Sequence, residues 1–173
     1  MLPSRLGTYH DASVPDTLDL AERARLSLNH LTSIISEENG HEMHWMGIFN
    51  TSFEVFKEFP FPVMVFRCCP FMACAQKSME AMVMARIMTG SEENLEREAK
   101  MAEMLASQIG EEGVYWVPDD PHKPWLGPLE NRPFAHIHSQ GRMMRAMVAW
   151  YQYAGDPVWK ERVDRMVDGI DRQ

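Results

Sequence analysis

Residues 138–170 read HSQGRMMRAMVAWYQYAGDPVWKERVDRMVDGI, and this stretch decides the fold. Met143, Met144, Ala146, Met147, Val148, Ala149 and Trp150 leave its first half apolar almost all round. A helix of that kind is packed on several sides. Gly155 suits the C-terminal cap of that helix. Asp156-Pro157 then opens a second helix, with Asp as N-cap and Pro in the first turn. The second helix has one apolar stripe and a strongly charged face. Two helices joined by so short a turn must run antiparallel as a hairpin.

Residues 78–104 say nearly the same thing in the same order. A shift of 65 residues sets Met79 on Met144, Ala81 on Ala146, Met82 on Met147 and Val83 on Val148. Gly90 meets Gly155 at the turn, and Glu96, Arg97 and Met101 meet Glu161, Arg162 and Met166. Similarity across both helices and the cap predicts stacked supersecondary units, each an inner, buried helix followed by an outer, charged one. The inner-to-outer turns, Thr89-Gly90-Ser91 and Ala154-Gly155-Asp156, are minimal. The outer-to-inner connections, 41–70 and 110–137, are long and rich in aromatic residues. Both long connections therefore fall at one end of the assembly. The inner helices begin at that end, so their N-terminal dipoles point at it.

The remaining segments fit around these units. A leading helix is expected over residues 16–35, with Leu20, Ala24, Leu28, Leu31 and Ile35 on one stripe. Asp16 or Thr17 would cap it, and it would end near Glu38-Asn39-Gly40. Pro60, Pro62 and Pro70 rule out one continuous helix in the first connection, where a short helix is expected over 51–57. The inner helix over 71–88 is expected to be buried all round. Ser91 would cap the outer helix that follows, with Leu95, Ala99, Ala102, Leu105 and Ile109 facing in and Glu96, Arg97, Lys100 and Glu103 facing out. The fold class is therefore all-α: helical hairpin repeats in a single domain spanning 1–173, with long aromatic loops on one end.

Composition narrows the function. The 25 acidic residues against 17 basic give a formal net charge of −8. Neutralising a phosphate backbone needs Lys and Arg, so no nucleic-acid partner is expected, and no membrane partner, because an anionic lipid surface also attracts basic segments. No stretch is long and uncharged enough to span a bilayer. The opening residues lack the apolar run of a signal peptide. Three cysteines, Cys68, Cys69 and Cys74, lie too close together for a disulfide framework and point to a reducing compartment. The expectation is a cytoplasmic protein. The 15 methionines are expected as adaptable core filler.

Two segments carry a resemblance. DTLDLAERARLSLNHLTSI at 16–34 and the 138–170 hairpin with its YAGDPVW junction resemble the helices of six-hairpin glycosidases, the α/α-toroid superfamily. The likeness is nearest to bacterial β-L-arabinofuranosidase-like proteins. It implies an (α/α)6 toroid, a ring of six inner helices with a carbohydrate substrate bound in a cleft at their N-terminal ends. With two hairpins and a leading helix, the chain reads as the N-terminal part of such a ring, and an open edge would invite self-association. The zinc site of the arabinofuranosidase group, one Glu and three Cys, finds no matching cysteine spacing here. The fold and the cleft carry over, and no catalytic residue does.

The candidate chemistry comes from the residues themselves. Glycoside hydrolysis needs two carboxyl groups flanking the scissile bond. Asp119 and Asp120, between Trp116 and Trp125, and Glu42, in HEMHW beside Trp45, are the catalytic candidates, since apolar neighbours raise a carboxyl pKa. Pro-Asp-Asp-Pro is also ordinary turn chemistry. Trp45, Tyr115, Trp116 and Trp125 offer flat faces for stacking on sugar rings, or glue the loops to the helix ends. His136, His138, Gln140 and Arg142 enter the second inner helix and would point into the cleft as substrate-binding groups. His41 and His44 with Cys68 and Cys69 have some of the character of a zinc site, but HEMHW is not HExxH, and neither metal nor cofactor is expected. Two functions follow. One is a glycoside hydrolase acting on a carbohydrate substrate. The other is a non-catalytic helical-repeat module that binds glycan or peptide.

Overall fold

A computed structural model describes residues 19–43, 73–117, 135 and 137–172. They form α1 (Leu20–Ser33), β1 (Ile35–Ser36), β2 (Glu42–Met43), α2 (Ala73–Thr89), α3 (Leu95–Ala106), α4 (Ile137–Ala154) and α5 (Pro157–Asp171). The fold is helical, with one two-stranded antiparallel sheet among the described residues. The expected short helix over 51–57, Cys68 and Cys69 lie outside them.

The glycine ends of α2 and α4 and the start of α5 form as the sequence predicts. Gly90 and Gly155 have φ values of 64° and 75°. Their N–H groups donate to the Arg86 and Tyr151 carbonyls at 2.7 and 2.8 Å. Only glycine adopts that left-handed conformation without strain. Asp156 caps α5 by accepting from Val158 N at 3.0 Å, with Pro157 in the first turn.

Other boundaries differ from expectation. Asp19, not Asp16 or Thr17, caps α1, accepting from the N–H groups of Ala21 and Glu22. The helix stops at Ser33, where the Thr32 and Ser33 hydroxyls donate back to the carbonyls of Leu28 and His30. The chain then forms the β1–β2 hairpin, pairing Ile35 with Met43 and Ser36 with Glu42. Gly40 and His41 turn it, both at positive φ. Ser91 does not cap α3, which begins behind Asn94 at φ 57°. The reason is Arg86. Its guanidinium donates to the Ser91 and Glu93 carbonyls at 2.7 and 3.1 Å and holds residues 91–94 as a turn.

Arg86 is itself tied to Glu98 of α3, with Nε and Nη2 each 2.6 Å from Oε2. Both side chains are 0% exposed. Burial pushes the Glu98 carboxyl up to about 6, against the downward pull of the Arg86 charge and hydrogen bond. A charge on the inward face of α3 was not expected from the sequence.

α2 packs on α1 and α4, and α4 on α5. α3 packs on the β1–β2 hairpin. The core contains Leu28, Val83, Leu105, Tyr115, Trp150 and Trp159 with buried methionines from β2, α2, α3, α4 and α5. Those methionines (Met43, Met79, Met82, Met101, Met143, Met147 and Met166) serve as the adaptable filler the composition suggested.

The expectation that α2 is buried all round does not hold. Ala81, Met84 and Met88 are exposed. Their counterparts 65 residues on, Ala146, Ala149 and Tyr153, are buried or half-buried, while buried Val83 has exposed Val148 as its counterpart. Neighbouring helices that run side by side touch through opposite flanks. Equivalent residues therefore cannot all be covered. One ion pair, Arg145 Nη2 to Glu80 Oε1 at 2.6 Å, joins α4 to α2.

Arginines also join the outer layer. Arg97 of α3 reaches back to Glu37, and Arg162 of α5 reaches back to Glu103 of α3 through two hydrogen bonds of 3.0 and 2.7 Å. The Arg162 guanidinium also lies 4.5 Å from the Trp159 ring centroid. Such exposed pairs contribute about 0–1 kcal/mol each, so they set register more than stability. Arg162→Ala is expected to cost about 1 kcal/mol in urea denaturation, mostly from lost stacking on Trp159. A loss above about 3 kcal/mol would show that this edge carries the fold.

Candidate functional site

Each of α1 and α3 is followed by a tight antiparallel turn. After α1 it is the β1–β2 hairpin. After α3 the chain reverses over residues 109–115, where Ile109 bridges Tyr115 and Gly110 N–H donates to the Val114 carbonyl at 2.9 Å. Val114 precedes Tyr115, the bridge partner of Ile109, as Glu42 precedes Met43, the partner of Ile35. Both residues are buried, at 6% and 2% exposed. The 109–115 turn is shorter than the β1–β2 hairpin, yet it buries an apolar side chain at the corresponding place, one residue before the bridge partner. No period of two betrays these strands in the sequence, because two residues are too few to show one.

The second turn joins the α4 entrance. Gln140, in the first turn of α4, accepts from Tyr115 N at 2.8 Å through Oε1 and donates to Tyr115 O at 2.7 Å through Nε2. A buried amide that pairs both backbone groups of one residue fixes the turn while satisfying them. The Tyr115 side chain is 0% exposed, and its hydroxyl lies beside the Gln76 amide in the first turn of α2. Burial pushes the Tyr115 hydroxyl far above its ordinary range, and Gln76 opposes that shift. Tyr115 therefore links the starts of both inner helices.

Trp116 follows at once and is half-buried. Its indole N–H donates to the Glu112 carboxylate, which that hydrogen bond holds below the usual range. The ring is pinned at its edge. On the solvent side of the same α4 turn, exposed His138 and half-buried Arg142 approach one another at 3.4 Å between His138 Nε2 and Arg142 Nε.

The sequence candidates thus divide. His138, Gln140 and Arg142 lie in the first turns of α4, and Trp116 follows Tyr115, whose backbone Gln140 holds; Tyr115 itself, expected as a stacking face, is fully buried and offers none. Gln140, however, is 5% exposed and serves the Tyr115 backbone instead of an open cleft. Glu42 lies in the β1–β2 hairpin, which packs on α3. Asp119, Asp120, Trp45, Trp125 and His136 lie outside the described residues. Among the described residues, no three His, Cys, Asp or Glu side chains come together as a metal site would require. No described helix is long and apolar enough to cross a membrane. Sequence reasoning missed Gln76, Ser139 and the linking role of Tyr115. The available signal was a Gln within the Met-rich run CAQKSME, a polar group where the pattern asks for an apolar one.

Comparison with protein-family models, curated proteins and solved structures finds no match to this chain.

Proposed function

We propose that the chain is a carbohydrate-active protein, part of an α/α toroid, that holds a glycan at the first turns of its inner helices and hydrolyses a glycosidic bond there. The observation that carries the reading is the joined group at the α4 entrance. A pinned, half-exposed indole stands in the turn that Gln140 fixes to α4, and the His138 and Arg142 donors lie on that same helix turn. A flat apolar face with hydrogen-bonding groups around it is the chemistry that recognises a sugar ring. The carboxyl groups assigned to the reaction are Glu42, Asp119 and Asp120. Glu42 is supported by its burial at a position where the related turn has Val114.

Hydrolysis of a panel of aryl glycosides tests this. Glu42→Gln and Asp120→Asn are each expected to lower kcat at least about 100-fold, the typical loss for a group moving a proton in the transition state. Full activity in both variants would overturn the assignment.

A second reading, a non-catalytic glycan-binding module, is favoured by one observation: the half-buried or exposed groups at the α4 entrance, Trp116, His138 and Arg142, are recognition groups, and none of them is a carboxyl. Glycan affinity that survives Glu42→Gln and Asp120→Asn, with no turnover in the wild type, would select it.

A further inference from the structure

Among the described residues, the α4–α5 hairpin is covered on one flank. Tyr153 of α4 lies where the Arg86 charge of α2 acts on it, and Ala146 and Ala149, on the same side of the helix, are buried. On α5, Arg162 reaches α3 and Gly169 abuts the 109–117 turn. The opposite flank is apolar too. On α4 it carries Gly141, Met144, Val148 and Tyr151, and on α5 Val163, Val167 and Ile170. Val148 and Val167 are 39% and 52% exposed, and the larger side chains around them are half-buried.

Three features of this flank say what covers it. The residues recur at steps of three and four, the spacing of a seam that receives another helix. Counted outward from the Gly155-Asp156 turn, the two rows are level: Val148 with Val163, Met144 with Val167, Gly141 with Ile170. Two level helices sharing one apolar flank make half of a four-helix bundle. The borders carry opposite charges. Arg145, beside Val148 and 66% exposed, edges the strip on α4, and Asp164, beside Val167 and 58% exposed, edges it on α5. Their levels differ by about 3 Å of helix rise.

We propose that this flank is the contact between two copies of the chain, paired about a two-fold axis parallel to the helices so that α4 of each lies against α5 of the other. A strip with one positive and one negative border is complementary to itself in that orientation, and Arg145 of one copy comes to the partner's Asp164, twice. An axis across the helices would instead set α4 on α4 and bring the two Arg145 borders together. Arg145 keeps Glu80, and Asp164 keeps Lys160. The contact therefore joins two existing pairs into a network.

Sedimentation equilibrium of the full chain tests this in about 0.15 M salt, where charge repulsion between copies is screened beyond about 8 Å. The wild type is expected to dimerise reversibly. Val148→Lys and Val167→Lys should each weaken the dimer at least about tenfold, with the circular dichroism of the monomer unchanged, because both positions already meet solvent. Val167→Lys, at the more exposed position, decides the matter if Val148→Lys fails to fold. Arg145→Asp should weaken the dimer as well, and adding Asp164→Arg should restore it. Met84→Lys, on the exposed stripe of α2, should leave it intact. A wild type that stays monomeric at every concentration would overturn the proposal. So would a dimer untouched by the valine variants, one lost in Met84→Lys, or one that the charge exchange does not restore.

Discussion

Arg86→Met is expected to destabilise the protein by about 3–5 kcal/mol at neutral pH, because it leaves the Glu98 carboxylate buried without its cation. That is a large share of the 5–15 kcal/mol typical of a domain. The loss should shrink as the solution is acidified. Glu98 can take up a proton, and its carboxyl already stands raised at about 6 in the folded chain. A group whose folded pKa lies above its ordinary value adds stability that is full below the ordinary value near 4.5 and is lost as pH rises through about 6. The wild type should therefore lose stability from this group as pH rises through that window, and Arg86→Met should lose more. Glu98→Gln behaves differently. It strands the Arg86 charge, which no accessible pH removes, so the variant's own stability should vary little with pH through this window. Arg86 keeps the Ser91 and Glu93 carbonyls as acceptors, which limits the cost of the substitution. Urea denaturation at pH 5 and pH 7.5 separates the two variants. Equal pH dependence would show that the Glu98 proton is not what the pair controls.

This pair also shows where sequence reading stops. The Gly90 and Gly155 helix ends and the α4–α5 turn were legible because their causes are local: a left-handed glycine, an Asp cap and a Pro in the first turn act within a few residues. The inner helices were legible as apolar runs. Glu98 was not, since LEREAKM offers four charges within a turn and a half, and only the approach of Arg86 from across the turn decides which one faces inward. The exposed flank of α2 was hidden for a related reason. Met84 and Met88 read as core residues until the position of α4 shows which side is covered. At the α4 entrance, His138, Gln140 and Arg142 were legible from their place at a helix start. The purpose of Gln140 depended on Tyr115, 25 residues earlier, and no spacing rule links the two.

Gly113→Ala should give the largest loss of any single methyl addition in the described residues, about 3–5 kcal/mol. Two costs combine there. Gly113 has φ of 87°, where an L side chain is strained by roughly 1–3 kcal/mol. A Cβ would also overlap the carbonyl oxygen of Arg165 in α5 and approach the Gly169 Cα at 3.2 Å. Both obstacles are backbone, which cannot swing away as a side-chain tip can. Gly169→Ala tests the other side of the same contact, where a Cβ would overlap the Glu112 carbonyl oxygen and lie 2.8 Å from the Gly113 Cα. Alanine ordinarily improves a helix by about 1 kcal/mol over glycine. Here overpacking of about 1–3 kcal/mol outweighs that gain. Gly141→Ala in α4 is the control with opposite sign: a Cβ there meets nothing within 4 Å, so stability should rise by about 1 kcal/mol. The functional consequence follows from what this contact anchors. The 109–117 turn is held to α5 by Gly113 and Gly169 and to α4 by Gln140, and it carries both Tyr115 and Trp116. If the glycan reading is right, Gly169→Ala should weaken glycan binding beyond its effect on folding, measured at a temperature where the variant remains folded. Unchanged affinity in a folded but destabilised Gly169→Ala would show that the α5 contact supports the fold without setting the position of Trp116.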